Sequence, residues 1–233
     1  MKRFLVLSLS GLLLSSAASF AGSMNVVSEP EIMPMPEPVF DWGGAYGGVA
    51  LGFGQGTYTQ GVSVLGELGV DVDVSGAIVA AKLGYNIQNG NTVFGVEADI
   101  SSGPSGVTPQ FTTGPDWSCN TGDCYVDINS VASLRARAGF TPSPDMLLYA
   151  TGGLAVAQVT GGILASAQDG GGSASGAVSG VGMEFAAGNN ASFGAEYLYY
   201  NISPIPFGVD GLGNTFDGVG DFGVLRFFFN KHF

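Results

Sequence analysis

Residues 130–140 read SVASLRARAGF, with two arginines, Arg135 and Arg137, standing two apart among small and apolar residues. Successive side chains of a β-strand point to opposite faces, so residues two apart share a face. On that reading Ala132, Leu134, Ala136, Ala138 and Phe140 form an apolar face and both guanidinium groups lie on the other. Such a strand needs an apolar medium on one side and, behind it, something that accepts two positive charges.

The first residues bear on that medium. MKRFLVLSLSGLLLSSAASFA, residues 1–21, has Lys2 and Arg3, an apolar stretch of signal-peptide length and small residues before a cut after Ala21. The stretch is short and broken by serines, which favours cleavage over an uncleaved helix. Cys119 and Cys124 are the only cysteines, so the lipid-bearing cysteine of a lipoprotein is missing. Nothing later resembles the ~20-residue apolar helix that spans a bilayer. A membrane-embedded chain of this kind crosses with strands.

Composition agrees. Of 233 residues 39 are glycine, 7 are Lys or Arg and 19 are Asp or Glu; the formal net charge of −12 becomes −14 without Lys2 and Arg3. An acidic surface repels phosphates, which makes nucleic acid a poor partner. The single histidine, His232, is next to the last residue and leaves little scope for histidine-based catalysis. Residues 22–41, which include SMNVVSEPEIMPMPEPVF, are acidic, proline-rich and without period, and read as an extended periplasmic tether. Residues 42–233 are enough for one β-barrel domain.

From Trp42 onward the period-2 pattern recurs in GAYGGVALGFGQ, SGAIVAAKLGYNI, TVFGVEADISS, INSVASLRARAGF, MLLYATGGLAVAQV, GAVSGVGMEFA, ASFGAEYLYYNI and FGVLRFFF. These eight segments approach the ~10 residues that a tilted strand needs to cross a bilayer. QNGN, TPSPD and AGNN, all tight-turn chemistry, join the second to the third, the fourth to the fifth and the sixth to the seventh. The other connections are long, polar and glycine-rich. Alternation of short and long connections distinguishes a membrane barrel, with periplasmic turns and outer loops, from a soluble sandwich. The predicted fold is therefore all-β: a closed, eight-stranded, antiparallel up-and-down transmembrane barrel.

Parity then sorts the charges. Outward rows such as Ala77, Val79, Ala81, Leu83 and Tyr85, or Phe193, Ala195, Tyr197 and Tyr199, are apolar, with aromatics near strand ends as in an interfacial girdle. The mid-strand charges are four acids (Glu97, Asp99, Glu184, Glu196) and four bases (Lys82, Arg135, Arg137, Arg226), all of inward parity. An arginine facing lipid at the midplane costs ~2–4 kcal/mol. An eight-stranded lumen is just wide enough to be filled by side chains, so these groups meet one another. A packed ion-pair plug is favoured over a charged ion path, with Glu97 or Glu196 expected against Arg137.

WGGAYGGVALGFGQG, KLGYNIQNGNTVFGVEADI, VASLRARAGFTPSPDMLLYATGGLA and GVGMEFAAGNNASFGAEYLYY resemble the outer-membrane β-barrel (porin-family) domain of small Gram-negative, especially alphaproteobacterial, surface proteins. The resemblance covers nearly all of residues 42–233 and implies an OmpA/OmpX-type barrel in the cell outer membrane. It implies outer-membrane lipid and lipopolysaccharide as surroundings and passage through the barrel-assembly machinery. The ending FFFNKHF is similar to that machinery's C-terminal signal: Leu225, Phe227, Phe229 and Phe233 fit, while Lys231 departs from the usual apolar residue. No peptidoglycan-binding segment follows, so a wall-anchoring role is not carried over.

Cys119 and Cys124 sit in a long outer connection, and an oxidising compartment favours a disulfide between them. Two cysteines are too few for a structural zinc site. Asp71 with Asp73, and Asp210, Asp217 and Asp221, fit no EF-hand spacing and read as solvated acids rather than calcium ligands. No cofactor is expected. The leading expectation is a structural or surface protein that supports the envelope, with loops contacting the environment or a host. The alternatives are a narrow solute channel and a membrane enzyme, the latter lacking a histidine at the outer rim.

Overall fold

The computed structural model describes residues 40–62, 69–209 and 211–233. The predicted signal peptide, residues 22–39 of the predicted tether and Asp210 lie outside the described residues. The strands are β1 (Gly44–Gly61), β2 (Val70–Asn89), β3 (Thr92–Ser101), β4 (Ser105–Thr108), β5 (Cys124–Ser143), β6 (Met146–Ile163), β7 (Asp169–Ala186), β8 (Ala191–Val209) and β9 (Thr215–His232). All neighbours pair antiparallel. The short β4 continues the place of β3 between β2 and β5, so nine strands fill eight places. β1 pairs β2 on one side and β9 on the other, from Tyr46↔His232 to Gly61↔Asp217, and closes the ring. Closure satisfies the backbone without an edge, which a sheet in hydrocarbon requires.

At one end of the barrel the connections are tight. Asn89 and Thr92 are joined by Gly90 and Asn91, with Gly90 at φ 59°. Pro144 and Asp145 join β5 to β6, and residues 187–190 join β7 to β8 with Gly188 at φ 72°. Glycine takes these positive φ values without a steric penalty.

The other end differs from the sequence reading. The second predicted strand starts at Ser75 but β2 starts at Val70; the sixth starts at Gly176 but β7 starts at Asp169; the eighth starts at Phe222 but β9 starts at Thr215. Much of what reads as outer loop is paired strand. β2 and β5 are each 20 residues long, about twice the ~9–11 a bilayer crossing takes.

The physical reason is an inversion of patterning along each strand. Towards the turn end the outward side chains are apolar: Val79, Leu83 and Ile87 on β2, Leu134 and Phe140 on β5, Leu225, Phe227 and Phe229 on β9 are all exposed on the barrel surface. Beyond Gly76 the outward residues of β2 are Ser75, Asp73 and Asp71, while Val74, Val72 and Val70 turn inward and are buried. β9 does the same, with Asp221 following the outward row and Phe222 and Phe216 buried. The outer half of the barrel is thus built as a water-soluble barrel is, polar outside and apolar inside. Its core includes Tyr58, Val126, Ile128, Val159, Ile202, Phe207 and Phe216.

Candidate functional site

The half of the lumen below that apolar core holds the charges. Lys82, Glu97, Asp99, Arg135, Arg137, Glu184, Glu196 and Arg226 are all buried, at 1–7% relative exposure. Strand pairing brings some of them into rows: Lys82 faces Asp99 across β2 and β3, Glu97 faces Arg135 across β3 and β5, and Glu196 faces Arg226 across β8 and β9. Lys82–Glu97, Arg135–Asp99 and Arg137–Glu97 run diagonally between the same neighbouring strands, and the other contacts join strands that do not pair.

Glu196 gathers three cations, Arg226 Nε at 3.0 Å, Lys82 Nζ at 3.4 Å and Arg135 Nη1 at 3.5 Å. Glu97 bonds Arg135, lies 3.3 Å from Lys82 Nζ, and accepts from the Tyr46 hydroxyl at 2.7 Å. Asp99 meets Arg226 Nη1 at 2.5 Å and accepts from the Ser133 hydroxyl. Burying eight charges is costly unless each is paired and hydrogen-bonded. Here each acid has at least one base and one neutral donor or second base.

Arg137 departs from the expectation. Its main partner is Glu184, at 2.8 Å from Nη2; Glu97 is second at 3.6 Å, and Glu196 is not among its ion-pair partners. The stagger of closed, tilted strands decides which groups meet across a lumen, and parity carries no stagger. The guanidinium also donates to the Tyr46 hydroxyl at 2.7 Å and stacks 3.9 Å from the Tyr149 ring centroid. Lys82 Nζ sits 3.5 Å from the centroid of Phe228. Cation–π contacts of this kind strengthen when desolvated.

Tyr46, Ser133, Tyr149, Ser192, Asn230 and His232 complete the network and are absent from the sequence-derived set. The signal was there: Ser133 keeps the parity of Arg135, Ser192 that of Glu196, and Asn230 and His232 that of Arg226. Glu184 Oε1 accepts from Ser192 Oγ at 2.5 Å and from Asn230 Nδ2 at 2.7 Å. With its proton given to Glu184, the Ser192 oxygen accepts from His232 Nε2 at 2.9 Å. This is not nucleophile geometry, because the carboxylate holds the serine rather than His232 Nδ1, and Ser192 has no exposed surface.

The turn end of the lumen is stoppered by aromatics. Phe40 and Trp42 pack on each other and on His232, with ring centroids 4.6–6.2 Å apart, and Trp42 is fully buried. Trp42 donates from its backbone N to Gln88 Oε1 and from Nε1 to the Pro144 carbonyl. Phe40, read from sequence as the end of the tether, belongs to the barrel because its ring fills this mouth.

Cys119 and Cys124 form a disulfide buried in the apolar core of the outer half. Asp71 and Asp73 lie on the outward face of β2 and accept from Thr59 and Thr57 hydroxyls. Among the described residues no three His, Cys, Asp or Glu side chains are grouped to hold a metal ion. Leu225, Phe227, Phe229 and Phe233 project outward, at 49–83% exposure, at the turn end.

An apolar girdle around a closed sheet, with charge inside it, defines an integral outer-membrane β-barrel protein, and the turn end is its periplasmic end. The chain belongs to the family of outer membrane protein beta-barrel domains, whose model matches residues 9–224. It is 33% identical over 227 residues to the 31 kDa outer-membrane immunogenic protein of Brucella melitensis, covering 82% of this chain and 86% of that one. It is 29% identical over 174 residues to the 22 kDa outer membrane protein of Rhizobium leguminosarum, covering 75% and 71%. Among solved structures the outer membrane protease OmpT of Escherichia coli shares the fold, with a TM-score of 0.50 at 9% identity over 81% of this chain and 96% of that one.

Proposed function

We propose that this outer-membrane barrel has a structural and surface role, supporting the envelope and presenting its outer end to the environment, and that it is not a solute channel. The observation that carries this reading is the filled lumen. An aromatic stopper, a layer of four acids and four bases and an apolar core succeed one another along the axis. Ion-pair partners packed within 3.7 Å of one another support a lumen without an aqueous column. The exposed row of Leu225, Phe227, Phe229 and Phe233 supports recognition by the barrel-assembly machinery, and the outward apolar belt supports direct contact with lipid and lipopolysaccharide acyl chains.

The test is single-channel recording of the refolded protein in a planar bilayer. The expected result is silence across the applied voltages. Steady unitary conductance would overturn the closed-lumen reading in favour of a narrow channel.

A further inference from the structure

The outer end carries a cleft of about 660 Å³ between the disulfide-bearing loop and the tips of two hairpins. Its walls include Asp116, Trp117, Asn120, Thr121, Gln168 and Leu212. Three observations point to a ligand. The Trp117 indole stacks on the buried Phe216 at 5.2 Å, which fixes one ring face and leaves the rest of the half-buried ring to the cleft. Leu212 is 89% exposed and Phe111, on the same loop as Trp117, 72% exposed; large apolar groups held in water mark binding surfaces. The loop is also pre-shaped: besides the disulfide, Phe111 N donates to the Cys119 carbonyl at 2.8 Å, Gly114 N to the Trp117 carbonyl at 2.8 Å, and Gln110 N to Asp123 Oδ1 at 2.8 Å. Pre-shaping lowers the entropy lost on binding.

Charge selects the ligand class. Every Lys and Arg beyond residue 3 is in the lumen except Lys231, which is at the periplasmic end. The outer end therefore has no cation with which to hold a sulfated, phosphorylated or carboxylated ligand. What the cleft offers is an aromatic face flanked by side-chain amides and a hydroxyl. Gln168 is oriented, its Oε1 accepting from Thr121 at 3.1 Å and its Nε2 donating to the Val209 carbonyl at 3.1 Å, and an amide nitrogen carries a second N–H. A sugar ring matches this set, with one C–H face for the indole and hydroxyls for the amides. We infer that the Trp117 cleft binds a neutral saccharide. This inference rests on the surface role proposed above and names the ligand class for it.

Trp42 and Trp117 are the only tryptophans, so the Trp42→Phe protein in detergent micelles reports on the cleft alone. Titration with chitotetraose, cellotetraose and maltotetraose should give, for at least one of them, a saturable change in Trp117 emission. A heparin tetrasaccharide should give none. Calorimetry on the parent protein guards against a folding defect of Trp42→Phe, and Trp117→Ala should weaken the calorimetric affinity by roughly tenfold or more while the barrel keeps its folded gel mobility. Flat titrations with all three neutral sugars, preference for the heparin fragment or for tetralysine, or binding indifferent to Trp117→Ala would each overturn the inference. Conductance in a bilayer would overturn the closed-lumen reading and leave these titrations unaffected, so the two failures are separable.

Discussion

Arg137 Nη2 stands 2.8 Å from a glutamate that, among the described residues, has no other arginine or lysine within ion-pair distance. Removing one member of a buried pair leaves an uncompensated charge, at ~3–5 kcal/mol, whereas an exposed pair is worth ~0–1 kcal/mol. Arg137→Ala is therefore expected to destabilise the barrel by about 3 kcal/mol or more, read by reversible urea unfolding in lipid vesicles. The double variant Arg137→Ala/Glu184→Gln should cost less than the sum of its parts, because Glu184→Gln removes the orphaned charge. Additive losses would mean that the two side chains do not share their burial. The inward side of each charge was legible in the alternation around it. Its partner was not, since Glu184 reaches Arg137 across the lumen from a strand that is not its neighbour. His232 was read only as a lone histidine with little scope for catalysis; its structural place emerges from the pairing of β9 with β1 up to that residue and from Phe40 and Trp42 packed against it.

At the scale of the strand, the glycines of the lumen wall are space for its large residues. Tyr46 lies across Gly84 of β2, where an added Cβ would stand 2.2 Å from the Tyr46 Cζ, and Tyr149 lies across Gly182 of β7, with 2.4 Å to its Cζ. Both tyrosines brace Arg137. Gly84→Ala is expected to displace the Tyr46 ring from its bonds to Glu97 and Arg137, for a loss of roughly 1–3 kcal/mol typical of overpacking. The same variant with Tyr46→Phe should not recover stability, because the collision is with the ring as well as the hydroxyl. Recovery in Tyr46→Ser, by contrast, is expected in part. A Gly84→Ala protein as stable as the parent would show that the wall yields. Strand existence and the short turns were legible because Asn-Gly and Pro lie between apolar alternations. Strand ends were not, because a membrane strand is recognised by a row apolar on the outside, and VDVDV at 70–74 alternates with its apolar residues inside.

For the whole molecule, the inversion of patterning divides the barrel into a lipid-facing half and a water-facing half. Asp73→Cys and Ala81→Cys differ only in height on the outward face of β2. A membrane-impermeant maleimide added to intact cells is expected to label the first and leave the second unmodified, the native cysteines being already paired. Labelling at Ala81→Cys, or protection at Asp73→Cys, would put the boundary elsewhere. That boundary follows from a row shared by four strands: Asp73 faces Thr57, Thr57 faces Asp221, and Asp221 faces Asn201. The barrel consequently rides in the membrane as a hull with a painted waterline. Settling deeper by one such row immerses two carboxylates in hydrocarbon, at several kcal/mol each, and riding higher lifts phenylalanines and leucines into water. Draught, and hence the height at which the outer rim is carried above the cell, is set by the strands themselves.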